Sequence, residues 1–312
     1  MKADSSTTVP AKQGMKKGTK MALMIMPFLV LTFLFRYFPL HGWVYALYDY
    51  KAPLRLTQCD FVGFHWFKVL FANPTQVKQL MQVLKNTFAM SLLGIATSIL
   101  PLLFAVFLNE IRYKWFRNIV QTMTTIPNFI SWTLIYSIAF ALFSTTGMFN
   151  SVMQQLGVID APVKILDSSK HVWLMMLLWS LWKGLGWNSI MYLAAISGID
   201  MEMYDSAKVD GAGRFQLMRY ITIPQLMPTF FVLLMLSVAN FLNNGMDQYY
   251  VFQNAFNKRY IQVLDLYVYN IGITGSSMSL ATAVGIMKSA VSIALLTLVN
   301  VLSKRVRGET II

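Results

Sequence analysis

The chain has 312 residues, 56% of them hydrophobic and only 12% charged, with 26 Lys and Arg against 13 Asp and Glu for a formal charge of +13. Soluble domains carry roughly 25% charged residues, so an ordinary water-soluble globule is excluded; the cations gather at the ends of apolar runs rather than on one polar face, which argues against nucleic-acid binding. The single cysteine, Cys59, excludes a disulfide framework and a multi-cysteine metal site.

In chain order, residues 1–20 are rich in Ser, Thr, Gly and Lys and read as a disordered tail. The apolar run that follows ends in Arg36-Tyr37-Phe38-Pro39 without a small-x-small cleavage site, so it reads as a retained helix rather than a signal peptide. Crossing about 30 Å of hydrocarbon takes roughly 20 apolar residues. Runs of that kind lie at Met21–Tyr48, Thr87–Leu108, Ile119–Phe143, Val172–Ile196, Met227–Phe252 and Met278–Leu302. They predict an all-α transmembrane domain of six spans over residues 21–302, followed by a short tail at 303–312. Pro27, Pro39, Pro101 and Pro127 fall within or beside spans, where freed backbone groups need protein or water as partners. Lys2, Lys12, Lys16, Lys17 and Lys20 precede the first span, and Arg112, Lys114 and Arg117 sit between the second and third. By the positive-inside rule both termini face the cytoplasm. The long Asp49–Lys85 loop is then outside, and residues 201–224 are inside.

Residues 201–224 form a polar hairpin between two apolar runs. Met201–Val209 has helical character and stops at Asp210-Gly211, where glycine permits a sharp turn. Arg214–Ile221 reads as a second short helix, closed by Pro224. Two short helices joined at a glycine make a rigid knob that can transmit a push. The spacing Asp205-Ser206-Ala207, then Gly211, then Ile221-x-Ile223-Pro224 resembles the EAA loop of permease subunits in bacterial ATP-binding-cassette (ABC) importers. Tyr37–Tyr50, Phe61–Phe67, Leu108–Pro127, Asn128–Trp132 and Met191–Asp200 look like one subgroup of that family. These are the larger permeases of complex-carbohydrate importers, typified by the lipoprotein-and-polysaccharide transport B type.

The resemblance implies a six-helix type I importer permease in the bacterial inner membrane, paired with a second, related permease. It further implies two cytoplasmic ATP-binding subunits, an extracytoplasmic solute-binding protein and an oligosaccharide cargo. By carry-over, Asp205, Ser206, Ala207, Asp210, Gly211, Ile221, Ile223 and Pro224 form the ATPase-coupling element, with Asp205 a methylene shorter than the family's glutamate. The sequence contains no Gly-Lys pair, hence no phosphate-cradling loop. ATP and magnesium therefore belong to partner subunits, and no cofactor or metal is expected in this chain. His41, His65 and His171 are scattered, without an H-E-x-x-H, so no catalytic residue is expected. A channel or secondary carrier for a small polar solute is the alternative, and it would have no use for the hairpin.

A charge at the bilayer centre costs roughly 2.5–3.5 kcal/mol. Arg36, Lys183, Asp247 and Lys288 fall inside predicted spans and are expected to face protein or water, except that Arg36 can reach the interface beside Tyr37. Lys183 and Lys288 either pair with Asp247 or line a path. Trp179, Trp182, Lys183, Gly186 and Ile190 share one helical face, suited to stacking and hydrogen-bonding a sugar, although tryptophan is also a membrane-interface residue. Asn240, Asn243, Asn244, Asp247 and Gln248 are too polar for a lipid-facing surface. The predicted substrate path is therefore Trp179, Trp182, Lys183, Asn188, Asn240, Asn243, Asn244, Asp247 and Lys288. The cations here and on the first outer loop suit an acidic, uronate-type oligomer.

Overall fold

A computed structural model describes residues 17–307. Residues 1–16 and 308–312, parts of the two predicted tails, lie outside the described residues. Residues 17–20 and 303–307, also assigned to those tails, are helical and extend the first and last spans. The described chain is helical throughout apart from connections, with one isolated antiparallel bridge between Tyr48 and Phe61. That is the expected outcome for a backbone that must satisfy its own hydrogen bonds in lipid.

Helix α1 (Lys17–Thr32) runs on through a π turn at Phe33–Tyr37 and a 3-10 stretch at Phe38–Leu47. Its apolar side chains, Met24 and Phe28 among them, are exposed rather than packed within the chain. After α2 (His65–Ala72), α3 (Pro74–Ala96) is capped by Asn73, whose side chain accepts from the Thr75 N–H at 2.9 Å. α4 (Ile99–Asn109) continues it after a kink at Thr97–Ser98. Pro101 has no N–H to offer the Thr97 carbonyl, which accounts for the kink. The predicted second span therefore starts at Pro74 rather than Thr87, and its 36 residues make a rod of about 54 Å.

The predicted third span, Ile119–Phe143, is two helices. α5 (Lys114–Thr125) ends in a 3-10 turn at Ile126–Phe129, the chain is extended at Ile130 and Ser131, and α6 (Trp132–Phe143) begins with Ser131 as its cap. Pro127 removes the donor that would have carried α5 onward. α7 (Met148–Gln155) leads to α8 (Val172–Ser197), then α9 (Met201–Val209) and α10 (Arg214–Leu217). α10 flows through a π turn at Met218–Thr222 into α11 (Ile223–Ala239). Pro224 therefore does not close a separate helix. It sits in the first turn of α11, where the π turn accommodates its missing N–H, and the fifth span starts at Arg214 rather than Met227.

That span also stops early. α11 ends at Ala239, residues 240–246 are non-helical with Gly245 at φ +72°, and α12 (Asp247–Phe252) starts afresh. α13 (Lys258–Ile261), α14 (Leu264–Tyr269) with a π turn to Thr274, and α15 (Met278–Arg307) complete the described chain. Gly18–Leu47, Pro74–Asn109, Trp132–Gln155, Arg214–Ala239 and Met278–Val301 are long and apolar enough to cross a membrane. α8, the predicted fourth span, falls short on apolarity but has 26 residues, about 39 Å. It packs against α3, α4, α5, α11 and α13. Its packed side tolerates the half-buried Lys183, whereas Asn188 stands exposed. One core cluster joins Ile135, Met176, Phe252 and Leu266 at one end of α8, and another joins Leu102, Tyr192 and Leu226 at the other.

Candidate functional site

The hairpin forms as its sequence requires. Asp200 caps α9 by accepting from the Glu202 N–H at 3.0 Å. At the other end Gly211 takes φ +83°, the Gly211 N–H donates to the Lys208 carbonyl at 3.0 Å, and the Ala212 N–H donates to the Ala207 carbonyl at 2.9 Å. This paired closure needs a left-handed residue, which glycine adopts without strain. Asp205 pairs with Lys208 at 3.0 Å while its side chain stays 70% exposed, a geometry of little energetic weight that leaves the carboxylate reachable. Ser206, Asp210, Gly211 and Pro224 are also at the surface, Ala207 and Ile223 are half-buried, and Ile221 is buried. Val209 and Phe215 are 88% and 78% exposed, putting apolar groups on the knob.

Two contacts tie the knob to the bundle. The Tyr204 and Thr222 hydroxyls lie 3.0 Å apart and clasp the two arms. Arg214 Nε donates to Glu110 Oε2 at 3.1 Å, and its guanidinium also donates to the Glu110 carbonyl, at the end of α4. Glu110 had no signal in the sequence beyond its place in a short basic loop.

Between α3–α4, α8 and α11 lies a hollow of about 480 Å³. Asn188 and Asn240, both predicted for the path, line it together with Thr97, Ser180, Gly184, Trp187 and Ser237. Ser180, Gly184 and Asn188 recur every four residues, a face of α8 adjacent to the one singled out from the sequence.

The predicted Trp179–Lys183–Gly186 face turns instead toward the third span. Trp179 is packed in an aromatic cluster with Phe143, Trp182 and Phe252, at centroid distances of 6.2, 5.8 and 5.9 Å. With Trp182 it borders a separate, almost wholly apolar hollow of about 370 Å³. Lys183 Nζ donates to the carbonyls of Pro127, Asn128 and Ile130 at 3.1, 2.9 and 2.5 Å. An ammonium has three donors, so all are engaged in holding the break between α5 and α6, and Lys183 does not pair with Asp247. Interhelical hydrogen bonds inside membranes are worth about 0.6 kcal/mol each on average. Lys183→Met is therefore expected to cost about 2 kcal/mol, read as a lower thermal midpoint of the purified protein.

The interrupted fifth span is pinned by side chains from elsewhere. The Ser91 hydroxyl donates to the Phe241 carbonyl and lies 3.0 and 3.2 Å from the Asn244 amide. Asn243 Nδ2 donates to Asn240 Oδ1 at 3.3 Å. Asp265, half-buried on α14, accepts the Gly245 N–H at 2.9 Å through one oxygen and pairs with Lys288 through the other. Lys288 thus pairs with Asp265, not Asp247. Asp247 stands exposed at the start of α12 because the span is broken before it. Asp265, which pairs with Lys288 and accepts the Gly245 N–H, escaped sequence reading because it lies in a short polar-flanked segment outside every predicted span.

Residues 97–308 match the family model described as binding-protein-dependent transport system inner membrane component. The chain is 35% identical over 297 residues to protein LplB of Bacillus subtilis, covering 95% of this chain and 92% of that protein. It is 36% identical over 292 residues to the polygalacturonan/rhamnogalacturonan transport system permease protein YteP of the same organism, covering 93% and 89%. The structure resembles a chain of a bacterial ABC transporter involved in import of the acidic polysaccharide alginate, with TM-score 0.80 and 29% identity over 93% of this chain and 96% of that one. A similar likeness, TM-score 0.81, holds to the alginate transporter in complex with an alginate pentasaccharide-bound periplasmic protein. The chain belongs to the family of inner-membrane components of binding-protein-dependent transport systems, the ABC transporter permeases, and is a transport subunit rather than an enzyme.

Proposed function

We propose that this chain is one of two related permeases in an ATP-driven importer of oligosaccharides, uronate-containing ones included. It lies in the bacterial cytoplasmic membrane with both termini and the hairpin inside. One of two ATP-binding subunits grips the hairpin, that pair carries the ATP and magnesium, and an extracytoplasmic solute-binding protein delivers the sugar to the opposite face. The named relatives and the alginate transporter support the cargo class.

One observation carries the mechanism. The hairpin is continuous with α11 through α10, and Arg214 fastens it to the end of α4. α11 and α4 are two of the walls of the Asn188–Asn240 hollow. A displacement of the knob therefore moves two walls against the third, α8, and changes access to the hollow. No covalent step is needed: the sugar is passed on by differential affinity between two states of the walls. Asn188, Asn240, Ser180 and Ser237 supply donors and acceptors for hydroxyls, and Trp187 supplies a ring face.

Gly211→Trp tests the coupling. A left-handed conformation costs a non-glycine residue about 1–2 kcal/mol, and a large side chain there obstructs a docking cleft, although an added Cβ meets nothing within 4 Å in the chain itself. The wild type is expected to co-purify with an ATPase subunit and to support ATP-dependent uptake into vesicles. The variant is expected to lose both while keeping a thermal midpoint within a few degrees of wild type. Normal ATP-coupled uptake by the variant would overturn the docking role, and wild-type uptake without nucleotide would make the protein a carrier.

A further inference from the structure

A second hollow, of about 450 Å³, lies along the first turns of α3, at the far end of the 74–109 rod from the Glu110–Arg214 clasp. Lys78, Gln79 and Gln82 of α3 form one wall, and Lys258, Arg259 and Gln262 form the other. The two walls, distant in sequence, are locked together. Asn86 is fully buried and donates to the carbonyls of Arg259 at 2.9 Å and Gln262 at 3.0 Å, while its own oxygen accepts from Gln82 at 3.1 Å. Gln262 is only 6% exposed, so the floor is amide and the rim is cationic.

Among the described residues, none of Lys78, Lys258 and Arg259 has a carboxylate partner. Three uncompensated positive charges around a concavity focus their field into it and draw anions. The next residue after Arg259 leads into a neighbouring hollow of about 400 Å³, lined by Tyr260, Trp173 and His171. There the Trp173 indole N–H donates to the Tyr260 carbonyl at 3.0 Å, and the Lys85 ammonium sits 5.9 Å from the Trp173 ring. A cationic, amide-floored hollow thus adjoins an aromatic one, both within the size range of small-ligand sites. A flat acidic protein surface would reach the rim but leave the amide floor unused.

We propose that the hollow is an entry subsite for carboxylated sugars: Lys78, Lys258 and Arg259 hold the carboxylate of a uronate residue, Gln79 and Gln82 bind its hydroxyls, and the adjoining residue of the oligomer stacks near Trp173 and Tyr260. The inference rests on the sugar-import reading and gives its acidic preference a location on the outer face. The charged triad does not take part in the core, so its neutralisation leaves the fold intact.

The test is a titration of the whole transporter complex in nanodiscs, without binding protein, using tri-galacturonate and its fully methyl-esterified counterpart. Wild type is expected to bind the acid about tenfold more tightly than the ester, with the difference shrinking as salt is raised. Lys78→Gln/Lys258→Gln/Arg259→Gln is expected to abolish the difference while leaving ester affinity unchanged. A difference that survives in the triple variant overturns the subsite, as does equal affinity in wild type. Equal weakening of acid and ester overturns it too, as does an effect seen only in nanodiscs of anionic lipid, which would assign the triad to lipid headgroups. Vesicle uptake separates the two levels: a wild type that imports tri-galacturonate with ATP but fails the titration loses only the subsite, whereas a wild type that imports no uronate at all loses the acidic-sugar reading.

Discussion

Asp265→Leu is expected to destabilise the protein by about 3 kcal/mol or more, the cost of leaving a buried partner charge uncompensated. The side chains of Lys288 and Asp265 are 15% and 21% exposed, so solvent screens the pair little. The variant also removes the acceptor of the Gly245 N–H. Residues 240–246 are then released, and with them Asn240 at the edge of the larger hollow. A lower thermal midpoint should therefore be accompanied by reduced uptake at normal ATPase assembly. Asp265→Leu/Lys288→Leu should recover most of the stability, because apolar replacement of a whole buried ion pair is close to neutral, yet not the uptake, because the Gly245 N–H remains without its partner. A double-mutant cycle on both readouts separates the charge pair from the loop anchor. If Asp265→Leu leaves both stability and uptake unchanged, the pair does not hold the break.

Gly186→Ala is expected to be nearly as costly. An added Cβ would lie 2.3 Å from the Thr124 carbonyl oxygen, 2.4 Å from its carbon and 2.7 Å from the Thr125 nitrogen. All three are backbone atoms, so relief requires α5 and α8 to separate. Overpacking of this kind costs about 1–3 kcal/mol, at times more, and the separation also draws the Pro127 and Asn128 carbonyls away from Lys183, one turn earlier on α8. Gly184→Ala is the matched control. Its Cβ would meet only the mobile end of Asn188, at 3.3 Å, so its thermal midpoint should stay close to wild type. Equal midpoints for the two variants would show that the close approach at Gly186 is not needed.

The hairpin was the most legible part of the molecule. Asp200, Asp210, Gly211 and the arms between them act through hydrogen bonds a few residues apart, so local chemistry decides their conformation, and the helix stop at Gly211 falls where the sequence places it. The same holds for the existence of long apolar helices, of which five among the described residues are long and apolar enough to cross a membrane. The ends and interruptions were less legible. The third span breaks at Ile126–Ser131 although apolarity continues through it, because Lys183 supplies donors to the exposed carbonyls from a helix more than fifty residues away. The fifth span breaks at 240–246 because Ser91 and Asp265 satisfy its backbone. Conversely, Pro224 reads as a stop yet lies in a continuing helix, because a π turn accommodates it.

Which face of α8 borders the hollow was likewise undecided by periodicity. Trp179, Lys183 and Gly186 form as good a stripe as Ser180, Gly184 and Asn188; the third span covers the first stripe and leaves the second open. Composition and local spacing alone determine that the chain is a helical membrane protein bearing a polar hairpin with a glycine stop, since both follow from lipid solvation and from hydrogen bonds within a few residues. Where helices break, which lysine meets which carboxylate and which polar residues share a cavity depend on partners brought together from distant segments, and only the tertiary structure supplies those.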